Sequence, residues 1–330
     1  MKVGLIHNRP LPEGEPNWES SLDVMAQVEA IGAALSELGR PCAAIPFDRD
    51  LAAFVNRLRR EEIAVAFNLC ESVDDDPLLI GHPAAVLELL GLPFTGSPAA
   101  ALTLSTDKVL VKRAMQATGI PTPGFFLYEG TPFTLPKDLR FPLLMKPRFQ
   151  DASIGIDQES ILREAAGSEA RLADHFARFG PLVVEEYLTG REFNISLIGS
   201  PEPRVLPLAE IDFSTFPADR FPIVGYRAKW DEDSPEYHTT NRVFPTDLSM
   251  ELRQELQRIA RDCFHLCGLR DYGRVDLRLD GHGRPQVLEV NANPCLSPDA
   301  GFPAAVAQDG LDYPGMVAEL LSLALKRKEG

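Results

Sequence analysis

The chain of 330 residues contains no apolar run approaching the roughly 18 residues that a membrane-spanning helix needs. Cysteine is sparse: Cys42, Cys70, Cys263, Cys267 and Cys295 are scattered and odd in number. That argues against a disulfide framework and for a reducing, cytoplasmic setting. Positive charge is also short, with 33 Lys+Arg against 48 Asp+Glu and a formal net charge of -15. Such a balance opposes broad surfaces for nucleic acid or anionic membranes. There are no repeats and no low-complexity tract. No G-x-G-x-x-G follows the first apolar strand, so the usual dinucleotide fingerprint, and with it a dehydrogenase, has little support. Residues 1–6 read as a buried strand, too short for a signal peptide. Cys263 and Cys267 have helical i, i+4 spacing, but no further Cys or His joins them as metal ligands, and buried thiols are expected.

What is present is an ordinary globular composition, 45% hydrophobic and 25% charged, with length for two or three cores. Short apolar strands at 2–7, 43–46 and 63–69 alternate with helical patterns, including 51–60. This implies a parallel, Rossmann-like sheet. Val24, Val28, Ile31, Leu35 and Leu38 mark one helix, with Ser20 and Asp23 as a capping box and Gly39 as its stop. A helix is expected over 106–118, ended by Gly119, and another through Leu252, Leu256, Ile259, Cys263 and Leu266, stopped by Gly268. Strands are expected at 141–146 and 182–187, with a polar loop at 148–157. Residues 120–123 read as a domain junction. The stretch 211–246 has little periodicity and reads as a long functional loop.

The most informative segment is a hairpin, 274–279 and 286–291. Period two places Arg274, Asp276 and Arg278 on one face, and Val287, Glu289 and Asn291 on one face of the second strand. A four-residue loop, 281–284, would set Asp276 opposite Glu289 and Arg274 opposite Asn291. Two facing carboxylates repel unless a cation intervenes, and carboxylate and amide oxygens suit Mg²⁺. The spacing alone leaves a solvated hairpin, its charges balanced by the arginines, equally open.

The run Arg274-Val275-Asp276 with Leu288-Glu289-Val290-Asn291-Ala292-Asn293-Pro294 resembles the metal motif of the ATP-grasp superfamily, and most nearly its D-alanine–D-alanine ligase branch. The likeness extends through Phe67-Asn68-Leu69-Cys70-Glu71, Pro93-Phe94-Thr95-Gly96-Ser97, Met145-Lys146-Pro147 and Glu185-Glu186-Tyr187-Leu188. It implies an α/β (α+β) ATP-grasp fold: a Rossmann-like domain (1–104), a small central lid (105–188) and a C-terminal metal and substrate domain (189–330). It implies ATP and two Mg²⁺ (or Mn²⁺) ions on Asp276, Glu289 and Asn291. Lys108, Lys146, Ser153, Gly155 and Lys229 would meet phosphates. Glu185, Glu186, Leu188 and Glu192 would form the adenine and ribose end. Arg274 would stabilise the transferring phosphoryl group, and Glu19 would hold a substrate ammonium. Apart from the resemblance, Lys108 would be a snorkelling lysine, Ser153–Gly155 a turn and Glu19 a helix-start acid.

The implied reaction is ATP-dependent ligation of a carboxylate to an amine through an acylphosphate, on small substrates in the cytoplasm, with a homodimer possible. A scaffold without turnover is the alternative from another class. Departures fall on the substrate side. Ala152 and Trp230 stand where the family usually has Ser and Tyr. The Gly- and His-rich loop is Glu71-Ser72-Val73-Asp74-Asp75-Asp76. The turn after the last metal ligand is Pro294-Cys295-Leu296-Ser297, where Cys295 and Ser297 keep weak substrate roles. Substrates other than two D-alanines are therefore expected, with a true D-alanine–D-alanine ligase as the runner-up.

Overall fold

The computed structural model of the chain describes residues 1–15, 18–130 and 133–327; the side chain of Glu19 lies outside the described set. Strands β1 (Lys2–Asn8), β2 (Cys42–Phe47) and β3 (Ile63–Asn68) form a parallel sheet in the order β2-β1-β3. Parallel pairing needs crossovers, here supplied by α1 (Trp18–Glu37) and α2 (Leu51–Arg60). In α1, Val24, Val28, Ile31 and Leu35 are buried and Leu38 is exposed. Gly39, at φ +66, ends it with the Arg40 N–H on the Leu35 carbonyl. The expected capping box does not form. The helix already starts at Trp18, so Ser20 and Asp23 lie inside it, and the Asp23 carboxylate takes donors from distant chain.

Helices α3 (Gly81–Leu89), α4 (Ala99–Thr106) and α5 (Lys108–Thr118) follow. The helix expected at 106–118 is α5, which starts two residues later because the Asp107 carboxylate accepts the Val109 and Leu110 N–H groups as its cap, while Thr106 ends α4. A second, antiparallel sheet orders β4 (Phe125–Tyr128), β7 (Leu182–Glu186), β5 (Leu143–Pro147) and β6 (Ile161–Leu162). It packs on α6 (Ser168–Phe179) through Leu172, Met145 and Val184.

The third sheet runs β11 (Asn241–Val243), β10 (Ala209–Asp212), β8 (Glu192–Ile198), β12 (Tyr272–Leu279) and β13 (Pro285–Asn291), with β9 (Arg204–Val205) beside β8. The stretch 211–246 is less irregular than expected and includes α7 (Tyr226–Trp230) and α8 (Pro235–His238). Helix α9 (Met250–Leu266) covers the apolar face, joining Leu256, Ile259, Cys263 and Phe264 to Phe193, Ile195, Val275 and Leu277. Helices α10 (Gly301–Gln308) and α11 (Tyr313–Lys326) pack onto the first sheet's core through Phe302, Met316 and Leu320.

The hairpin keeps the expected pairs, Asp276 with Glu289 and Arg274 with Asn291, but by another route. The loop has five residues, because the Asp280 carboxylate binds the His282 and Arg284 N–H groups and makes Asp280 part of the turn. The ladder is therefore one residue out of step until a bulge at Leu288 restores it, Leu277 facing Val287 while Asp276 faces Glu289. Val287 consequently joins the core with Val290, and Leu288 lines the cleft beside Glu289. Val287 therefore does not share the face of Glu289 and Asn291, contrary to the simple alternation expected for this strand.

The first and third sheets meet at Asp271 and Tyr272. The fully buried Asp271 carboxylate accepts the Gly96 N–H at 2.9 Å and the Arg327 guanidinium. Tyr272 donates to Asn293 Oδ1 at 2.7 Å, and Asn293 Nδ2 reaches the Cys70 carbonyl, tying β3 to the turn after β13. Asp271→Asn keeps the shape and tolerates the left-handed backbone (φ +65). It removes the buried anion, and a loss of about 3 kcal/mol in urea unfolding is expected.

Candidate active site

One cleft of about 690 Å³ lies between the three sheets. Its floor is the polar face of β8, β12 and β13. Cross-strand register aligns Asn194, Asp276 and Glu289 in one row and Ser196, Arg274 and Asn291 in the next. Arg274 grips Asp276 with two bonds of 2.8 and 2.9 Å, and Asn194 donates to the same carboxylate at 2.9 Å. Burial opposes the Arg274 charge, but Asp276 outweighs it and raises the pKa. Asn194 escaped the sequence reading. Its signal was the alternation Glu192, Asn194, Ser196 against the buried Phe193, Ile195 and Leu197. Among the described residues, no group of three His, Cys, Asp or Glu gathers as a metal site. The candidate ligand set is two carboxylates and an amide, a donor set that fits Mg²⁺ completed by water and phosphate oxygens.

Lysines enter from the other side. Lys108, on the first turn of α5, bonds the Gln150 carbonyl (2.6 Å), Asp151 (2.9 Å) and Glu289 (3.2 Å). One turn later Lys112 and, from β5, Lys146 clasp the buried Glu185 at 2.7 and 2.5 Å. Burial raises the Glu185 pKa, and the two ammonium groups outweigh it, leaving it below the ordinary value. Lys112 was missed, although its i, i+4 spacing from Lys108 was visible. Lys229 reaches the open cleft from α7 without a hydrogen-bond or ion-pair partner among the described residues. Desolvation in the cleft and the Arg274 charge lower its pKa.

At the far end of β8, Glu192 is held by Arg278 at 3.2 Å, and Arg278 also bonds the Gly190 and Pro222 carbonyls. Leu188, Leu288 and Ile223 give this part of the cleft an apolar lining. Alternation along β7 separates Glu185 from Glu186, whose carboxylate is bound by Arg140. Of the acids expected at the adenine and ribose end, Glu185 and Glu192 turn toward the cleft cations and Glu186 does not.

The loop after β5 curls over the lysines. Ala152 and Ser153 both have left-handed backbone (φ 54 and 62), and Gly155 (φ +72) sits where a Cβ would come within 2.7 Å of Pro147. Three bonds stitch this loop to the segment before and within α7. Ser153 donates to the Val224 carbonyl at 2.8 Å, Tyr226 N–H to Ile156, and Trp230 Nε1 to the Ala152 carbonyl at 3.0 Å. Trp230 thus bridges to the backbone at the position where Ala152 has no hydroxyl to offer.

The remaining end of the cleft is acidic. Ser297 Oγ and Cys295 Sγ both donate to Asp23, at 2.8 and 2.9 Å. Gln27 bridges Asp23 and Glu71. Burial, with Asp23 and Asp151 nearby and against the Gln27 bond, pushes Glu71 up to about 7. Burial also raises the Cys295 thiol well above its ordinary range, which suits a hydrogen-bond donor and not a thiolate nucleophile. Glu19 lies in the first turn of α1, and its side chain falls outside the described residues.

The fold matches the crystal structure of the D-alanine–D-alanine ligase from Bacillus anthracis complexed with ATP, with a TM-score of 0.76 over 100% of this chain and 99% of that one at 21% identity. This is an ATP-grasp architecture. A family model described as D-ala D-ala ligase C-terminus matches residues 115–322. An uncharacterized protein of Sinorhizobium fredii is 31% identical over 99% of this chain and 95% of its own length. A D-alanine–D-alanine ligase of Moorella thermoacetica is 30% identical over 99% and 100%. The chain belongs to the D-alanine–D-alanine ligase family of ATP-dependent ligases, which form C–N bonds.

Trp230→Phe keeps a ring and removes the loop-bridging donor. Loss of one such bond is worth about 1 kcal/mol, so an activity drop of roughly fivefold is expected. Limited proteolysis at 148–157 is expected to accelerate. Glu71 binds its proton more tightly folded than unfolded. Its stabilising contribution is therefore complete below its ordinary value of 4.5 and is lost as pH rises through about 7. Urea unfolding between pH 4.5 and 8 is expected to show this slope, and Glu71→Gln to flatten it.

Proposed function

We propose that the protein joins a carboxylate-bearing substrate to an amine-bearing one, with ATP converting the carboxylate to an acylphosphate and ADP and phosphate released. The observation that carries this reading is the meeting of Lys108, Lys146, Lys229 and Arg274 around Asp276, Glu289 and Asn291 in one cleft. These groups support phosphoryl transfer, which depends on positioning and charge neutralisation. Lys146 and Lys108 would orient the phosphates, and the loop at Ser153 and Gly155 would cover them and exclude water. Lys229 has no hydrogen-bond or ion-pair partner among the described residues and would meet the transferring phosphoryl group. Arg274 would neutralise charge on that group and on the tetrahedral carbon formed as the amine attacks. Asp276, Glu289 and Asn291 would hold two Mg²⁺ (or Mn²⁺) ions, which would screen the phosphate charge.

The nucleotide base would lie against Leu188 and Leu288, with the Leu188 N–H and Glu185 as its partners and Glu192 on the ribose. Because Arg140 already binds Glu186, only its backbone is offered to the nucleotide in this reading. The three sheets support division of the chain into 1–104, 105–188 and 189–330. Five free cysteines support a cytoplasmic location.

The substrates we propose are not two D-alanines, on the grounds of Ala152, Trp230, Cys295 and the acidic corner. The relatives named D-alanine–D-alanine ligase favour the second reading, true D-alanine–D-alanine ligation. Phosphate release is the test, run with ATP, Mg²⁺ and a panel of carboxylates and amines, with the amide identified by mass spectrometry. Release with D-alanine alone at the highest rate in the panel would establish the second reading. Asp276→Asn and Glu289→Gln are each expected to lower kcat by roughly a hundredfold.

A further inference from the structure

Arg278 makes more contacts than holding one acid requires. It stands directly across the β8–β12 ladder from Glu192, on the strand face that carries Arg274 and Asp276 into the cleft. Arg278 is 4% exposed and Glu192 8%. The guanidinium donates from Nε to the Gly190 carbonyl at 3.0 Å and from Nη1 to the Pro222 carbonyl at 2.8 Å and to Glu192 Oε2 at 3.2 Å. Its Nη2 donates to the Tyr187 hydroxyl at 3.3 Å, and the Tyr187 and Phe213 rings lie 5.1 and 5.3 Å from it. All three nitrogens are engaged, so the planar fork has a fixed place and direction.

Glu192 is only half satisfied by this arrangement. Its Oε2 is bonded to Arg278, whereas its Oε1 has no hydrogen-bond partner among the described residues, and the side chain lines the cleft. Burial pushes its pKa up. Of the charges that oppose the rise Arg278 is the strongest, ahead of Lys146 and Lys229, while Asp276 adds to it. Lys146 is committed to Glu185, and Lys229 forms no ion pair among the described residues. A buried carboxylate with one oxygen fixed and the other open to a cleft is an oriented acceptor, waiting for a donor on a ligand.

We propose that Arg278 makes the nucleotide site select for ribose: it fixes Glu192 as an acceptor whose Oε1 meets the vicinal hydroxyls, so rejection of a sugar without them depends on Arg278. The inference rests on the proposed placing of the nucleotide, with Glu192 at its sugar, and identifies what keeps that acid in readiness. Without the arginine the acid can take a proton or swing away, and in either case the fixed acceptor is lost. With the arginine in place, a sugar lacking both hydroxyls leaves a buried carboxylate oxygen unmet, and an unpaired buried acceptor is what makes such a site selective. Arg278 is a positioning residue, acting through Glu192.

The test is calorimetric titration of ADP and of 2′,3′-dideoxy-ADP into the full chain in Mg²⁺ buffer. The wild-type protein is expected to bind ADP roughly ten- to hundredfold more tightly than the dideoxy nucleotide. In Arg278→Met that ratio is expected to fall to within about threefold of one, through weaker binding of ADP. A merely structural lesion would weaken both nucleotides alike and preserve the ratio. Glu192→Gln is expected to lower the ratio comparably, and adding Arg278→Met to it is expected to change the ratio no further. A wild-type ratio near one, a ratio that survives either substitution, or an undiminished effect of Arg278→Met once Glu192 is replaced would overturn the proposal. If Arg278→Met does not fold, Arg278→Lys decides, since it keeps the charge and loses the fork. A ratio reduced at least about threefold in that variant upholds the proposal, and an unchanged ratio refutes it. ADP binding without discrimination refutes the role of Arg278 and leaves the ligase reading standing, whereas absence of ADP binding refutes both.

Discussion

The constraint on which the rest depends is the cost of burying cations in a protein of net charge -15. Lys108, Lys112 and Lys146 are all less than a tenth exposed, and each finds a carboxylate supplied by a different element. Glu185 from β7 answers two of them; Asp151 and Glu289 answer the third. Such pairs seldom add net stability, because desolvation offsets the attraction. Their effect is on position. An ammonium fixed against a buried acid cannot swing to solvent, and it is held where the proposed phosphates would lie. The acidity of the chain and the proposed nucleotide site are compatible for this reason: several acids hold cations in place.

That arrangement needs a floor with sharply different faces. Strands β8 and β12 provide it by strict alternation, with Phe193, Ile195, Val275 and Leu277 in the core and Asn194, Arg274 and Asp276 in the cleft. Strand β13 departs from alternation at one place, Leu288, and the departure has a use. The bulge keeps Val287 in the core while presenting both Leu288 and Glu289 to the cleft. The freed backbone at Val287 is not left unpaired, since its N–H reaches Pro121 and its carbonyl accepts from Thr122. Thr122 also receives Lys112, so the bulge and the lysine row share a support.

The legible features were those set by local pattern. The parallel pairing of β1 to β3 and the stops at Gly39, Gly119 and Gly268 follow from spacing and turn chemistry within short stretches, whereas Asp276 meets Glu289 only because the longer loop and the bulge at Leu288 offset each other. The five-residue loop was not legible, because it depends on Asp280 capturing two N–H groups in preference to pairing with its neighbour strand. The break at Asp107 was visible as a capping residue but was hidden by helical residues on both sides. Asp23 shows the limit most clearly. Its sequence context suited a helix cap, yet its partners lie 272 and 274 residues away. No local rule brings such groups together; only the docking of α1 against the turn after β13 does so.

The same distinction explains why the two halves of the cleft differ in how much they say about chemistry. Groups proposed to meet phosphate and metal must satisfy one ligand geometry, and their order along β12 and β13 can be read in a line as a motif. Groups around Asp23 satisfy one another first: Gln27, Cys295 and Ser297 form a closed set of donors around a carboxylate. That set is legible only in three dimensions, because its members come from α1 and from the turn after β13.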